Sequence, residues 1–126
     1  MVIRNIGGRW TPGALQTMAM LRAIAEVEGG TPGPGWNLIV LQHTDCGITR
    51  LGGQPGLLAD MFGIDAADLP AKATRDPRAA VAVDVAEIKA NPLLPAGFIV
   101  SGLVYDVSTG LVETVVAPAA RETAAA

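Results

Sequence analysis

The only histidine and the only cysteine of the 126-residue sequence, His43 and Cys46, stand three residues apart in the stretch NLIVLQHTDCGITR, from Asn37 to Arg50. An imidazole nitrogen beside a thiolate sulfur suits Zn²⁺, which is borderline-soft and needs no redox partner. Two such ligands do not close a tetrahedral shell, so the pair reads as part of a metal site. Asp45 is the nearest carboxylate. It could ligate, hydrogen-bond a ligand or stay solvated, the last being the commonest fate of a loop aspartate. The competing structural reading is a hydrogen-bonded histidine next to a cysteine acting as a small core hydrophobe. A Cys-His nucleophile pair is a weaker alternative, because the two residues are neighbours on one loop and no second histidine exists to serve as base.

The element that carries the pair predicts where it lies. Trp36 to Gln42 reads as a strand, and Leu38, Ile39, Val40 and Leu41 form a continuous apolar run, as in a parallel strand covered on both faces. His43 and Cys46 then fall just beyond the carboxyl end of that strand, where open α/β sheets gather ligands. If Gly47 opens a helical turn, Cys46 sits at its positive end, which favours the metal-binding thiolate.

Upstream, Val2 to Asn5 reads as a short strand followed by a Gly7-Gly8 turn. The spaced-glycine phosphate fingerprint is absent, so these glycines are expected to let the backbone approach a neighbour closely rather than to bind a nucleotide. Thr11 caps a helix with Pro12 at its first position. Its stripe is Leu15, Met18, Leu21 (or Ala25) and Ile24, and it ends after Glu28 at EGGTPGPG.

Downstream, PGLLADMFG suggests a short helix and IDAADLPAKATR a surface connection. Asp76-Pro77 starts a second long helix striped by Val81, Val85 and Ile88 and ending near Asn91-Pro92. Gly97 to Tyr105 is a third strand, and Ser108-Thr109-Gly110 turns it into an antiparallel fourth. The order predicts an α/β fold, a three-layer sandwich with a mainly parallel sheet and an antiparallel edge strand. Residues 1–117 form one domain, and 118–126 (PAARETAAA) read as a disordered tail.

Half of the residues are apolar and only 17% charged, a globular composition, and the net charge of −3 offers no basic field for nucleic acid or anionic lipid. One cysteine excludes an intramolecular disulfide. The start MVIRNIGG has no secretory signal pattern, and no apolar run reaches the ~18 residues that span a bilayer, so the expectation is a cytoplasmic protein without nucleic-acid or membrane partners.

Four segments, VIRNIGG (Val2 to Gly8), LQHTDCG (Leu41 to Gly47), DPRAAVAVDVAEIKANPLLP (Asp76 to Pro95) and VSGLVYDVSTGLVETV (Val100 to Val115), together resemble the β-class carbonic anhydrases in order and spacing. The resemblance implies zinc-dependent, reversible hydration of carbon dioxide to bicarbonate on an α/β sheet, in a homodimer or higher homo-oligomer. In that family two cysteines and one histidine hold the zinc, and His43 and Cys46 match the second and third protein ligands. The family's Cys-x-Asp-x-Arg motif, which carries the first ligand and an Asp-Arg pair, belongs on a strand upstream of VIRN and is not in the sequence. The resemblance therefore implies half a zinc site, in a chain either incomplete or naturally short, with activity impaired as given. It also implies a gap in the sheet between the strands beginning at Val2 and Trp36. The exposed border, expected along Leu38, Val40 and their neighbours, would favour assembly through Val2–Asn5 or the Thr11–Glu28 helix. The alternative is a non-catalytic oligomeric α/β module that keeps the fold without a complete zinc site.

Overall fold

A computed structural model describes residues 1–121. Helix α1 spans Pro12–Val27, strand β1 Asn37–His43, helix α2 Pro55–Phe62, helix α3 Pro77–Ala90, strand β2 Ile99–Tyr105 and strand β3 Val112–Ala120. The caps act as their sequence predicts. Thr11 Oγ1 accepts from Ala14 N at 3.3 Å and the Asp76 carboxylate from Arg78 N at 3.0 Å, with Pro12 and Pro77 at the first helical positions. Asn91 leaves the helical region (φ −79°, ψ 116°) because the following proline disfavours it there, which stops α3. Short 3-10 turns at Gly47–Arg50 and Ala66–Lys72 join the remaining elements.

The sheet has the order β1-β2-β3, with β1 parallel and β3 antiparallel to β2, so the α/β class, the parallel pair and the antiparallel edge strand stand as expected. Val40 pairs with Gly102, and a bulge in β3 places Gly102 opposite Val116 but Leu103 opposite Thr114, leaving Val115 as the extra residue. One face of the sheet carries Val40, Val100 and Val104, which bury against Val81, Val85 and Ile88 of α3, and Met18 of α1 joins the same cluster with Leu94 and Phe98. Gly102 makes this closeness possible. A Cβ there would stand 2.3 Å from Val81 Cγ1, so α3 rests directly on the β2 backbone.

Several expectations need correction. Val2–Asn5 forms no strand, because no strand lies beside it among the described residues to accept its backbone bonds; it leads instead into a 3-10 turn at Ile6–Gly8. That turn is closed by Asn5, whose Oδ1 accepts from Arg9 N at 2.8 Å and whose Nδ2 donates to Arg9 O at 2.7 Å. The α1 stripe is Ala14, Leu15, Met18 and Leu21, while Ile24 is exposed. The apolar run of β1 predicts parallel pairing, but only one of its faces is covered by the described residues: Val40 is buried, whereas Ile39 and Leu41 are 56% and 52% exposed. Of the border expected along Leu38, Val40 and their neighbours, it is the neighbours Ile39 and Leu41 that are exposed, on a strand at the edge of the described sheet. Residues 118–120 belong to β3 and Arg121 is buried, its N–H donating to Phe98 O at 2.8 Å, so the expected tail can begin no earlier than residue 122, outside the described residues. Among the described residues no helix is long and apolar enough to cross a membrane.

Candidate metal centre

Strand β1 ends at His43, and the loop after it is tied to the end of β2: Thr44 N donates to Tyr105 O at 2.9 Å and Val107 N to Thr44 Oγ1 at 3.0 Å. The His43 ring is exposed, and its Nδ1 lies 2.7 Å from Thr44 O. A carbonyl oxygen only accepts, so Nδ1 carries the proton and the Nε2 lone pair is left for a metal, the arrangement in which histidine ligands are usually held. Cys46 is half-buried at the N-cap position of the Gly47–Arg50 turn, as the sequence predicts, and its carbonyl accepts from Thr49 N at 3.1 Å and Thr49 Oγ1 at 2.7 Å. Asp45 sits between them in the left-handed region (φ 51°) and forms an exposed ion pair with Arg50.

His43 and Cys46 line one small cavity of about 10 Å³ together with Gly7, Arg9, Gln42 and Thr49. The donor set fits zinc chemically, an imidazole with a free Nε2 and a thiol at a helical N-cap. It would supply two of the four positions of a tetrahedral shell. Among the described residues no group of three or more His, Cys, Asp or Glu side chains is placed to hold a metal. The Gly7-Gly8 turn allows the close approach expected of it. With φ of 79° and 60° these glycines lie where a Cβ would meet Ile48 Cδ1 at 2.7 Å and Leu41 O at 2.6 Å, so the turn rests against the strand that carries His43.

Behind the cavity lies a buried polar network that the sequence reading misses. Asp84 of α3 has no exposed surface. Its Oδ2 accepts from Arg9 Nε at 2.8 Å, Trp10 N at 3.0 Å and Gln42 Nε2 at 3.2 Å, and its Oδ1 from Arg9 Nη2 at 3.0 Å. Arg9 Nη2 also donates to Lys72 O at 2.7 Å, and its guanidinium carbon lies 4.9 Å from the centre of the Phe62 ring. One signal was available: in AVAVDVAEI, Asp84 falls three residues after Val81 and four before Ile88, inside the apolar stripe of α3, where an acid needs a buried partner.

Neither a protein-family model nor a curated protein sequence matches the chain. Solved structures do. A carbonic anhydrase from Streptococcus mutans is 35% identical, matched over 90% of this chain and 64% of its own, with a TM-score of 0.60. A carbonic anhydrase from Glaciozyma antarctica is 27% identical over 90% of this chain and 65% of its own, also at 0.60. The beta-carbonic anhydrase isoform I of Trichomonas vaginalis, 22% identical over 87% of this chain and 64% of its own, shares the fold at 0.53. The chain thus spans just under two thirds of the length of each of these structures. This similarity shows that the chain has the fold of carbonic anhydrases, a beta-carbonic anhydrase among them.

Proposed function

We propose that this chain is a carbonic anhydrase-like zinc protein whose chemistry is the reversible hydration of carbon dioxide to bicarbonate, with His43 and Cys46 as zinc ligands. The observation that carries the reading is the His43 ring: its Nδ1–H is committed to Thr44 O, which leaves Nε2 for a metal beside the cavity that Cys46 also lines. Bound zinc would act as a Lewis acid that makes water nucleophilic near neutral pH. The chain's own residues hold the histidine tautomer and anchor the ligand loop to β2 through Thr44. Gly7 and Gly8 bring the N-terminal turn against β1 beside the cavity. Two protein donors leave the shell short, so carbon dioxide hydration by this chain alone is expected to be far slower than that of a complete enzyme. The exposed apolar face bearing Ile39 and Leu41 supports assembly into a homodimer or larger species.

Zinc content per chain after dialysis tests the reading. Near-stoichiometric zinc that is lost in Cys46→Ser and in His43→Ala, with the fold kept by circular dichroism, is the expected result. A well-folded wild-type chain that retains no zinc overturns it in favour of a non-catalytic α/β module. Stopped-flow hydration near pH 8 tests the second part. Turnover equal to that of a complete carbonic anhydrase would mean that further ligands complete the shell.

A further inference from the structure

The most heavily bonded side chain of the described residues is Asp84, and two of its donors flank the candidate metal centre. Gln42 is the residue before His43 on β1, and Arg9 directly follows the Gly7-Gly8 turn that rests on Leu41. One carboxylate on α3 therefore holds both segments that border the cavity of His43 and Cys46.

A buried ion pair is a poor way to gain stability, since apolar residues of the same volume often do as well or better. A second observation sets this pair apart from a stabilising contact. Arg9 is 3% exposed and lines the His43–Cys46 cavity, yet its Nη1 is buried without a protein partner among the described residues. Every other nitrogen of that guanidinium is bonded, to Asp84 or to Lys72 O. A cation held this firmly, on a residue that lines the same cavity as the two candidate ligands, is arranged for position.

We propose that Arg9 and Asp84, acting through Gln42, are positioning residues for His43 and Cys46, and that they set the metal affinity of this half-site. The inference rests on the zinc reading but has a test of its own. Gln42→Met cuts the link from Asp84 to β1 while leaving the ion pair intact. The double variant Arg9→Met, Asp84→Leu replaces the pair with apolar volume, so that neither charge is stranded. Arg78→Gln, in the exposed pair with Glu113, is the control.

The first readout is Co²⁺ affinity, by competition with a chromophoric chelator, together with the thiolate-to-cobalt charge-transfer band. The second, on metal-free protein at pH 8.5, is the nitrogen–proton correlation spectrum that reports which ring nitrogen of His43 bears the proton. Gln42→Met and the double variant are expected to lose roughly 10- to 100-fold in Co²⁺ affinity, the range seen when outer partners of metal ligands are removed. They are also expected to turn a single Nδ1–H tautomer into a mixture, with the fold retained and the control unchanged. Wild-type affinity and an unchanged tautomer in both variants would overturn the proposal. If the wild-type chain takes up no Co²⁺, the zinc reading falls, and the tautomer alone decides the positioning role: a mixture in the variants supports it, and an unchanged ring refutes it.

Discussion

Replacing Gly102 with alanine puts a methyl group where the ideal Cβ lies 2.3 Å from Val81 Cγ1, 3.1 Å from Val85 Cγ2 and 3.4 Å from Val116 Cβ. Favourable carbon–carbon contact is about 3.5–4.0 Å, so β2 and α3 would have to part by more than about 1 Å or Val81 would have to rotate. Rotation is closed off, because Val81 is fully buried and a β-branched side chain in a helix is confined to one rotamer. Overpacking of a tight core costs about 1–3 kcal/mol, and a contact this short belongs near the upper end. Against this, Gly102 has no positive φ, so alanine recovers about 0.4–1 kcal/mol through the unfolded chain. The net expectation is a loss of roughly 2–2.5 kcal/mol. With a urea m-value of about 1.5–2 kcal/mol per M, the unfolding midpoint should fall by roughly 1–1.5 M. Adding Val81→Ala should give back part of the loss, with a coupling on the order of 1–2 kcal/mol between the two sites in a double-mutant cycle. A midpoint unchanged in Gly102→Ala, or additive effects in the double variant, would show that α3 does not rest on the β2 backbone as described.

At the turn between β2 and β3, hydrogen bonds from the Ser108 hydroxyl and then the Ser108 N–H hold the exposed Asp106 carboxyl below its usual range. Because the folded value is depressed, the turn's contribution is present above the unfolded value and lost as pH falls through the folded one. A carbon-detected titration should show a low Asp106 midpoint that rises in Ser108→Ala; identical midpoints would refute the assignment. Light scattering coupled to size exclusion at micromolar concentration should find a dimer or larger species that Ile39→Lys shifts toward monomer. A wild-type chain that is strictly monomeric would remove the argument from the open sheet face.

The sequence by itself determined the elements whose signals are local. Thr11-Pro12 and Asp76-Pro77 start helices because cap and proline chemistry act within one turn, and the alternation and apolar runs of β1 and β2 mark strands. It also determined the two candidate ligands and their place at a strand's carboxyl end, since His43 and Cys46 are three residues apart on one loop. Contacts between distant segments were beyond its reach. Whether Val2–Asn5 pairs as a strand depends on a neighbour, and the described residues supply none. The apolar run of β1 reports affinity for burial but not which layer delivers it, so Ile39 and Leu41 remain open while Val40 is covered. The hydrogen bond that His43 Nδ1 donates to Thr44 O, which fixes the tautomer, requires the loop's folded path, tied to Tyr105 and Val107 from 61 or more residues away. The Arg9–Asp84 pair spans 75 positions, and only tertiary structure decides which buried acid meets which buried base, because the cost of an unpaired internal charge is settled by whatever partner the fold brings within reach.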